Sequence, residues 1–150
     1  FALACAQVEP DDTLLIQFTS GTTAFPKGVM LSHASMLGVA KSVADRMGVR
    51  SEDRYFSPRP FYHVAGSTMS LLVALVHGAT LVTAATFDPA QALAIMAREQ
   101  CTLTSGNDTM FLMMLAEPGF NTYRLCLRGG WAAASPQILH EVVEKMGAKD

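Results

Sequence analysis

Apolar positions along the chain fall into two alternating periods. Leu14-Leu15-Ile16 is an unbroken apolar run, whereas Met36, Ala40, Val43 and Met47 recur at the spacing of one helical face. The first pattern predicts a buried strand over residues 13–18, and the second predicts a helix. Ser32 stands where a side-chain oxygen caps that helix, and Gly48 stands where it stops. Between them, residues 29–31 predict a short return strand. The alternation then repeats. Residues 54–58 predict a strand, and residues 67–76 predict a helix halted by His77-Gly78. Residues 80–84 predict a strand. Asp88 caps a helix with Pro89 at its first position, running to about Glu99. Residues 101–105 predict a strand, Asp108 caps a helix holding Phe111, Leu112, Met114 and Leu115, and residues 123–127 predict a strand. Ser135-Pro136 opens the last helix, whose Ile138, Leu139, Val142, Val143 and Met146 form an amphipathic stripe. Strand-then-helix units with short connections define an α/β fold with a mostly parallel sheet flanked by helices.

Composition refines this. The chain has 150 residues, enough for one core and one domain. Half of it is hydrophobic and only 16% is charged, with nine methionines, against about 25% charged residues in ordinary globular domains. An apolar surplus of that size predicts surfaces covered by further polypeptide. Together with the start at Phe1, this marks residues 1–150 as a single-domain piece of a longer protein that packs against the remainder of its own chain. Net charge is −2 and the eleven Lys and Arg are scattered, which argues against nucleic acid as a partner. The three cysteines, Cys5, Cys101 and Cys126, are odd in number and widely spaced, as expected of a reduced, cytoplasmic compartment. Residues 60–87 are uncharged and long enough to cross a bilayer. They are interrupted by His63, Gly66, Ser67, His77 and Gly78, so they read as a helix and a strand and not as a membrane span. No histidine pairs with another histidine or a cysteine at a metal-ligand spacing, and no Gly-x-Ser-x-Gly elbow is present. His33, His77 and His140 are read as structural.

The chemistry concentrates in Thr19-Ser20-Gly21-Thr22-Thr23-Ala24-Phe25-Pro26-Lys27-Gly28. Hydroxyls, backbone N–H groups and a cation on one loop suit a polyphosphate tail. A Walker loop ends in Gly-Lys-Ser/Thr. Here Pro26 replaces the glycine, removing an N–H donor, and Gly28 replaces the hydroxyl that would hold magnesium. The grip therefore falls to the hydroxyls before Lys27. His63 and Gly129-Gly130 also follow predicted strands, which would gather three motifs at the carboxyl edge of the sheet, where such folds bind ligands.

The loop resembles the phosphate loop of the adenylate-forming (AMP-binding) enzymes: acyl-CoA synthetases, luciferases and peptide-synthetase adenylation domains. Two further passages follow in the family's order. Arg59-Pro60-Phe61-Tyr62-His63-Val64-Ala65-Gly66 is similar to the segment whose histidine or aromatic residue separates the acyl pocket from the reacting carboxylate. Leu127-Arg128-Gly129-Gly130, with Ser135-Pro136 after it, is similar to the Gly-Gly turn along the nucleotide and the acyl tunnel. The resemblance covers essentially the whole chain and is most like the fatty-acid CoA ligases, since no polar anchor for an amino group is visible. It implies that residues 1–150 belong to the large N-terminal domain, with the C-terminal domain outside them. It further implies ATP and Mg2+ as cofactors, CoA as acyl acceptor and a carboxylic acid as substrate. Residues 19–27 with Gly129 and Gly130 would bind the nucleotide. His63 would be catalytic and contact the acid, and Trp131 would line the acid's pocket. The acidic magnesium ligand would lie beyond Asp150, so these residues supply no metal ligand. Two departures mark this chain: Ala24 where the family has glycine, and Trp131 where a small residue is usual. They define the alternative, a non-catalytic nucleotide-binding or interaction module on the same fold.

Overall fold

The computed structural model describes residues 7–19 and 25–149. Strand β1 (Thr13–Thr19) folds back on β2 (Lys27–Ser32) as an antiparallel pair, with Thr19 opposite Lys27. Helix α1 (His33–Arg46) follows directly, its Ser32 cap accepting from Ser35 N–H. The predicted return strand and helix are therefore present. The burial expected of β1 is not: Leu14, Ile16 and Phe18 are exposed. This pair is a two-stranded sheet of its own, and no described layer covers its apolar side chains.

The main sheet is entirely parallel, in the order β4-β3-β5-β6. Strand β3 is Arg54–Phe56, β4 is Thr80–Val82, β5 is Leu103–Asn107 and β6 is Gly129–Ala133. Between β3 and β4 runs helix α2, built from α turns at Val64–Gly66 and Val73–Val76 around a π-helical segment at Ser67–Leu72. Helix α3 (Pro89–Arg98) joins β4 to β5, and α4 (Asp108–Leu115) follows β5. Helix α5 (Pro136–Glu141) continues as a π turn at Val142–Met146.

Successive strand residues point to opposite faces, and β3 shows it. Tyr55 packs with Ala40, Ala44, Val73 and Ala74 of α1 and α2. Phe56 packs with Leu93, Met96, Phe111, Met114 and Ile138 of α3, α4 and α5. The result is three layers, helices on both faces of one sheet.

Three expectations need correction. Residues 123–127 do alternate in burial, with Tyr123, Leu125 and Leu127 against the core, but they pair with no strand. Arg128 N–H bonds to Thr102 O, so the partner edge of β5 is taken by β6 from Gly129 onward. The cap of α4 is Asn107, accepting from Met110 N–H, and not Asp108. Asp108 instead accepts from Ser135 N–H and its hydroxyl, tying the starts of α4 and α5 together. Finally, the Gly129-Gly130 passage is not a turn beyond a strand. Gly129 and Gly130 open β6 opposite Leu103 and Thr104, and a Cβ on Gly130 would collide with Thr104 O.

Candidate functional site

Ser20, Gly21, Thr22, Thr23 and Ala24 lie outside the described residues. The two ends of their loop are defined. Thr19 closes β1 opposite Lys27, with its hydroxyl directed to Lys27 O at 3.5 Å. Phe25, Pro26 and Lys27 are all exposed, so the cation of the passage lies on an exposed residue, across the strand pair from Thr19.

His63 caps α2. Its Nδ1 accepts from Ala65 N–H at 3.0 Å, and its carbonyl accepts from Gly66 N–H, Ser67 N–H and the Ser67 hydroxyl. A ring nitrogen that accepts carries no proton, so the neutral imidazole holds its proton on Nε2. The turn that delivers His63 needs Gly66, where a Cβ would collide with Pro60 O.

The hairpin and the His63 turn meet. Gln17 Nε2 donates to Tyr62 O at 2.7 Å, across 45 positions of sequence. A cleft of about 410 Å3 opens at this junction, lined by Gln17, Phe18, Thr19 and Val29 from the hairpin and by His63 and Val64 from the helix start. Two of the three sequence passages thus share one cleft. Gly129 and Gly130 do not line it. They border a separate groove of about 220 Å3 between β6 and α5, with Thr104, Phe111, Leu139 and Val142.

Trp131 links the third passage to the second by its side chain. It pairs with Ser105, so Ser57, Ser105 and Trp131 form one row on the α2 face of the sheet, one step beyond Tyr55, Leu103 and Gly129. Its Nε1–H donates to the Tyr55 hydroxyl at 2.7 Å and to Met69 O at 3.2 Å, and the Tyr55 hydroxyl donates to Met69 O at 3.1 Å. The Arg59 guanidinium lies over the indole, 4.7 Å from its centroid. In the same seam the Ser70 hydroxyl donates to Ala65 O at 2.6 Å and meets the Ser57 hydroxyl at 2.7 Å, which also accepts from Ser105. Burial pushes the Tyr55 phenol up and the Arg59 guanidinium down, each opposing the charged form.

Sequence reasoning missed Gln17, Tyr55, and the serine trio. Their signals are single polar residues inside apolar strands and helices, which periodicity treats as noise. Arg59 had a visible one: it is the last charge before the uncharged run 60–87.

Among the described residues no three His, Cys, Asp or Glu side chains cluster as a metal would require, and no carboxylate lines the Thr19–His63 cleft. Among the described residues the magnesium implied by the resemblance finds no carboxylate ligand there, so no step below is routed through it. Among the described residues no helix is long and apolar enough to cross a membrane.

Comparison with known proteins gives the family. Residues 3–149 match the model of the AMP-binding enzyme family, and the chain belongs to that family. It is 37% identical over 148 residues to the rat protein named medium-chain acyl-CoA ligase ACSF2, mitochondrial, covering 93% of this chain and 24% of that one. Among solved structures it superposes on the N-terminal domain of FACL13 from Mycobacterium tuberculosis with a TM-score of 0.80 and 26% identity, covering 93% of this chain and 36% of that one. It also superposes on the O-succinylbenzoate coenzyme A synthetase MenE of Bacillus subtilis in complex with AMP, with a TM-score of 0.78 and 28% identity over 92% of this chain and 29% of that one. The chain spans about a quarter of the length of the curated relatives it matches.

Proposed function

We propose that the protein containing this chain activates a carboxylic acid with ATP and passes the acyl group to CoA. The observation that carries the proposal is the single cleft in which the end of β1, leading into the phosphate loop, faces His63. In the first step a carboxylate oxygen attacks the α-phosphorus of ATP, the bond to the bridging oxygen breaks and pyrophosphate departs. In the second the thiol of CoA attacks the acyl carbonyl, loses its proton and expels AMP.

Both reactants of the first step are anions, so donors must be fixed in place before they meet. Lys27 and the hydroxyls of Thr19, Ser20, Thr22 and Thr23 are the candidates for the pyrophosphate, with Gly129 and Gly130 along the nucleotide. His63 suits the carboxylate. With Nδ1 engaged by Ala65 N–H, the neutral ring offers Nε2–H as a donor to one carboxylate oxygen and leaves the other to attack. Trp131 is proposed as the far wall of the acyl pocket. A fatty acid is favoured over an amino acid because, among the described residues, no carboxylate lines either the His63 cleft or the groove beside Trp131 to take an ammonium group. The enzyme is placed in the cytoplasm on the strength of the free Cys101 and Cys126. Relatives named as mitochondrial make fractionation of the source cells the check on that placement.

The test is acid-dependent exchange of pyrophosphate into ATP by the full-length protein. Exchange that requires a fatty acid supports the reading. Nucleotide binding without exchange, across fatty, aryl and amino acids, would establish the non-catalytic module instead.

A further inference from the structure

We propose that Arg59 heads a second ligand site: a groove, apart from the Thr19–His63 cleft, that takes a small organic acid by its carboxylate. The inference goes beyond the acid-activating reading and does not rest on it.

The atoms of Arg59 that lack partners are a matched pair. Along one edge of a guanidinium, Nε–H and one N–H of Nη2 run parallel, and that fork fits the two oxygens of a carboxylate. Arg128 shows the fork filled: Nε reaches Asp53 Oδ1 at 3.1 Å and Nη2 reaches Asp53 Oδ2 at 2.6 Å. In Arg59 the same two atoms are buried and, among the described residues, have no hydrogen-bond partner. Its guanidinium rests instead on the Trp131 indole, 4.7 Å from the ring centroid. A ring face attracts a cation but does not replace two directed hydrogen bonds. Burial meanwhile works against the charge, and a buried cation without a counter-ion is costly. An oxyanion would relieve both deficits at once.

A groove of about 650 Å3 gives such an anion its place. It runs between the loops that follow β3 and β4, with Arg59, Phe61 and Tyr62 on one side and Thr83, Thr86 and Phe87 on the other. These loops leave the carboxyl ends of two neighbouring parallel strands, the edge at which such sheets bind ligands. The groove shares no lining residue with the Thr19–His63 cleft. Among its described lining residues Arg59 is the one charge, and the rest are aromatic rings, prolines, alanines and two threonines. A single fixed cation in an apolar wall suits one anionic head on an apolar body, the usual pattern of a small-molecule pocket. A polyphosphate would need more donors than these residues supply.

The fork is shut off from solvent while the guanidinium lies on the indole, but the residue is partly exposed and borders the groove. Binding therefore turns the guanidinium on its flexible stem away from the ring. The exchange is favourable, because a charged two-bond pair outweighs a face-on ring contact. Trp131 loses its cation when the acid binds, so its fluorescence reports the event.

The experiment is equilibrium dialysis of radiolabelled octanoate against the full-length protein carrying His63→Ala, which removes the carboxylate partner proposed for the other cleft. Saturable binding is expected to persist. Arg59→Gln, added to that protein, should weaken it by about tenfold to a hundredfold, the worth of a charge-assisted contact. Arg59→Lys should fall nearly as far, since lysine keeps the charge and lacks the fork. Ala85 is exposed on the facing loop, so Ala85→Trp narrows the groove and reads the same site should the Arg59 variants not fold. Octanoate should also change the tryptophan fluorescence, and Trp131→Phe should abolish that change. Octanol, with no anionic head, should bind equally with and without Arg59→Gln. Octanoate binding that is unmoved by both Arg59→Gln and Ala85→Trp would overturn the site, as would its complete loss on His63→Ala alone. Tighter binding of octyl phosphate than of octanoate would overturn the carboxylate as its ligand. Dialysis reads binding without turnover, so failure of pyrophosphate exchange would sink the acid-activating reading and leave this site standing.

Discussion

At the amino end of the four-stranded sheet Asp53 is 3% exposed, and each of its carboxylate oxygens has two donors. Oδ1 accepts from the Thr102 hydroxyl at 2.7 Å and Arg128 Nε at 3.1 Å, and Oδ2 accepts from Arg50 N–H at 2.8 Å and Arg128 Nη2 at 2.6 Å. Arg128 spends a further donor on Gly48 O at 2.7 Å. At the carboxyl end the accounts stay open. Arg59 Nε and Nη2, just past β3, are buried with no hydrogen-bond partner among the described residues, as are Gln17 Oε1 of the adjoining hairpin and the Thr68 hydroxyl of α2. Both ends present an arginine to a partly enclosed space, yet only one arginine is matched by a carboxylate. Polar groups at the amino end are used up on one another and join α1, β3, β5 and β6. Those at the carboxyl end keep unused capacity where parallel sheets bind their ligands.

The sharpest way to break this contrast is to remove the amino-end carboxylate. Asp53→Ala leaves Arg128 partly buried without its counter-ion, and losing one partner of a buried pair costs about 3 kcal/mol. Urea unfolding of the full-length protein should show that loss, while kcat/KM per folded molecule stays within about twofold, the behaviour of a residue remote from the chemistry. A variant of normal stability would remove Asp53 as the anchor of that end.

Lys27→Ala should give the opposite result. Lys27 is exposed at the start of β2, so unfolding should change by no more than about 0.5 kcal/mol. A charge-assisted contact to the departing pyrophosphate is worth about 1.5–3 kcal/mol, which slows adenylation on the order of tenfold to a hundredfold. Thioester formation from preformed acyl-adenylate should be unaffected, because the pyrophosphate has already gone. Slowed thioester formation with intact adenylation would take Lys27 out of the phosphate site.

The two ends were not equally legible in the sequence. Local rules placed most elements: the Ser32 cap, Asp88-Pro89 and the Ser135-Pro136 helix start all hold. The Thr19 to Lys27 passage reads as chemistry because so many hydroxyls have no reason to share one turn, and its Ser20 to Ala24 lie outside the described residues. Pairing was not legible. Residues 123–127 carry a strand's period, but only the Arg128–Asp53 pair and the Arg128 N–H bond to Thr102 O set the register that excludes them from the sheet. The burial expected of β1 failed because an apolar run does not say which layer covers it. The π segment left no trace, since a shift from i→i+4 to i→i+5 bonding follows from packing, here against Tyr55 and Trp131, and not from any residue pattern. Trp131 was singled out by sequence, but the tyrosine that holds it was not.

Acid titration gives a smaller and more selective contrast. Burial raises the Asp53 carboxyl, but the Arg128 pair, the Thr102 hydroxyl and Arg50 N–H outweigh it and hold the group below its ordinary value of 3.8. A carboxyl depressed on folding adds stability above its unfolded value, and that stability is lost as pH falls through the folded one. Unfolding free energy should thus be flat from neutral pH to about pH 5 and decline below about pH 4. Glu99, lowered by Arg98 and then by Arg54, titrates in the same direction from a half-buried position. Asp53→Asn should remove more of the acid slope than Glu99→Gln, and equal slopes would show that burial gives Asp53 no special weight.

The smallest expected effect sharpens the comparison most, because it separates stability from function at one residue. Among the described residues the Gln17 side chain makes one hydrogen bond, to Tyr62 O at 2.7 Å, and leaves its own Oε1 buried without a partner. Gln17→Ala loses about 1 kcal/mol with the bond and regains a similar amount by deleting the orphaned oxygen. Tm should therefore scarcely move. The same bond ties the hairpin that ends at Thr19 to the turn that carries His63, so it sets the spacing between the phosphate loop and the carboxylate. Loosening it misplaces two reactants that must meet in line, and small displacements of that kind are costly in rate. Adenylation should fall several-fold, about the worth of one neutral hydrogen bond, and the fall should appear in kcat more than in KM for either substrate. Gln17→Glu tests the cause. It retains the length but cannot donate to Tyr62 O when ionised, so it should behave as the alanine variant does at neutral pH and recover as its carboxyl protonates. A Gln17→Ala enzyme with a lowered Tm and unchanged kcat would make the contact a fold-holding one, like those of the amino end.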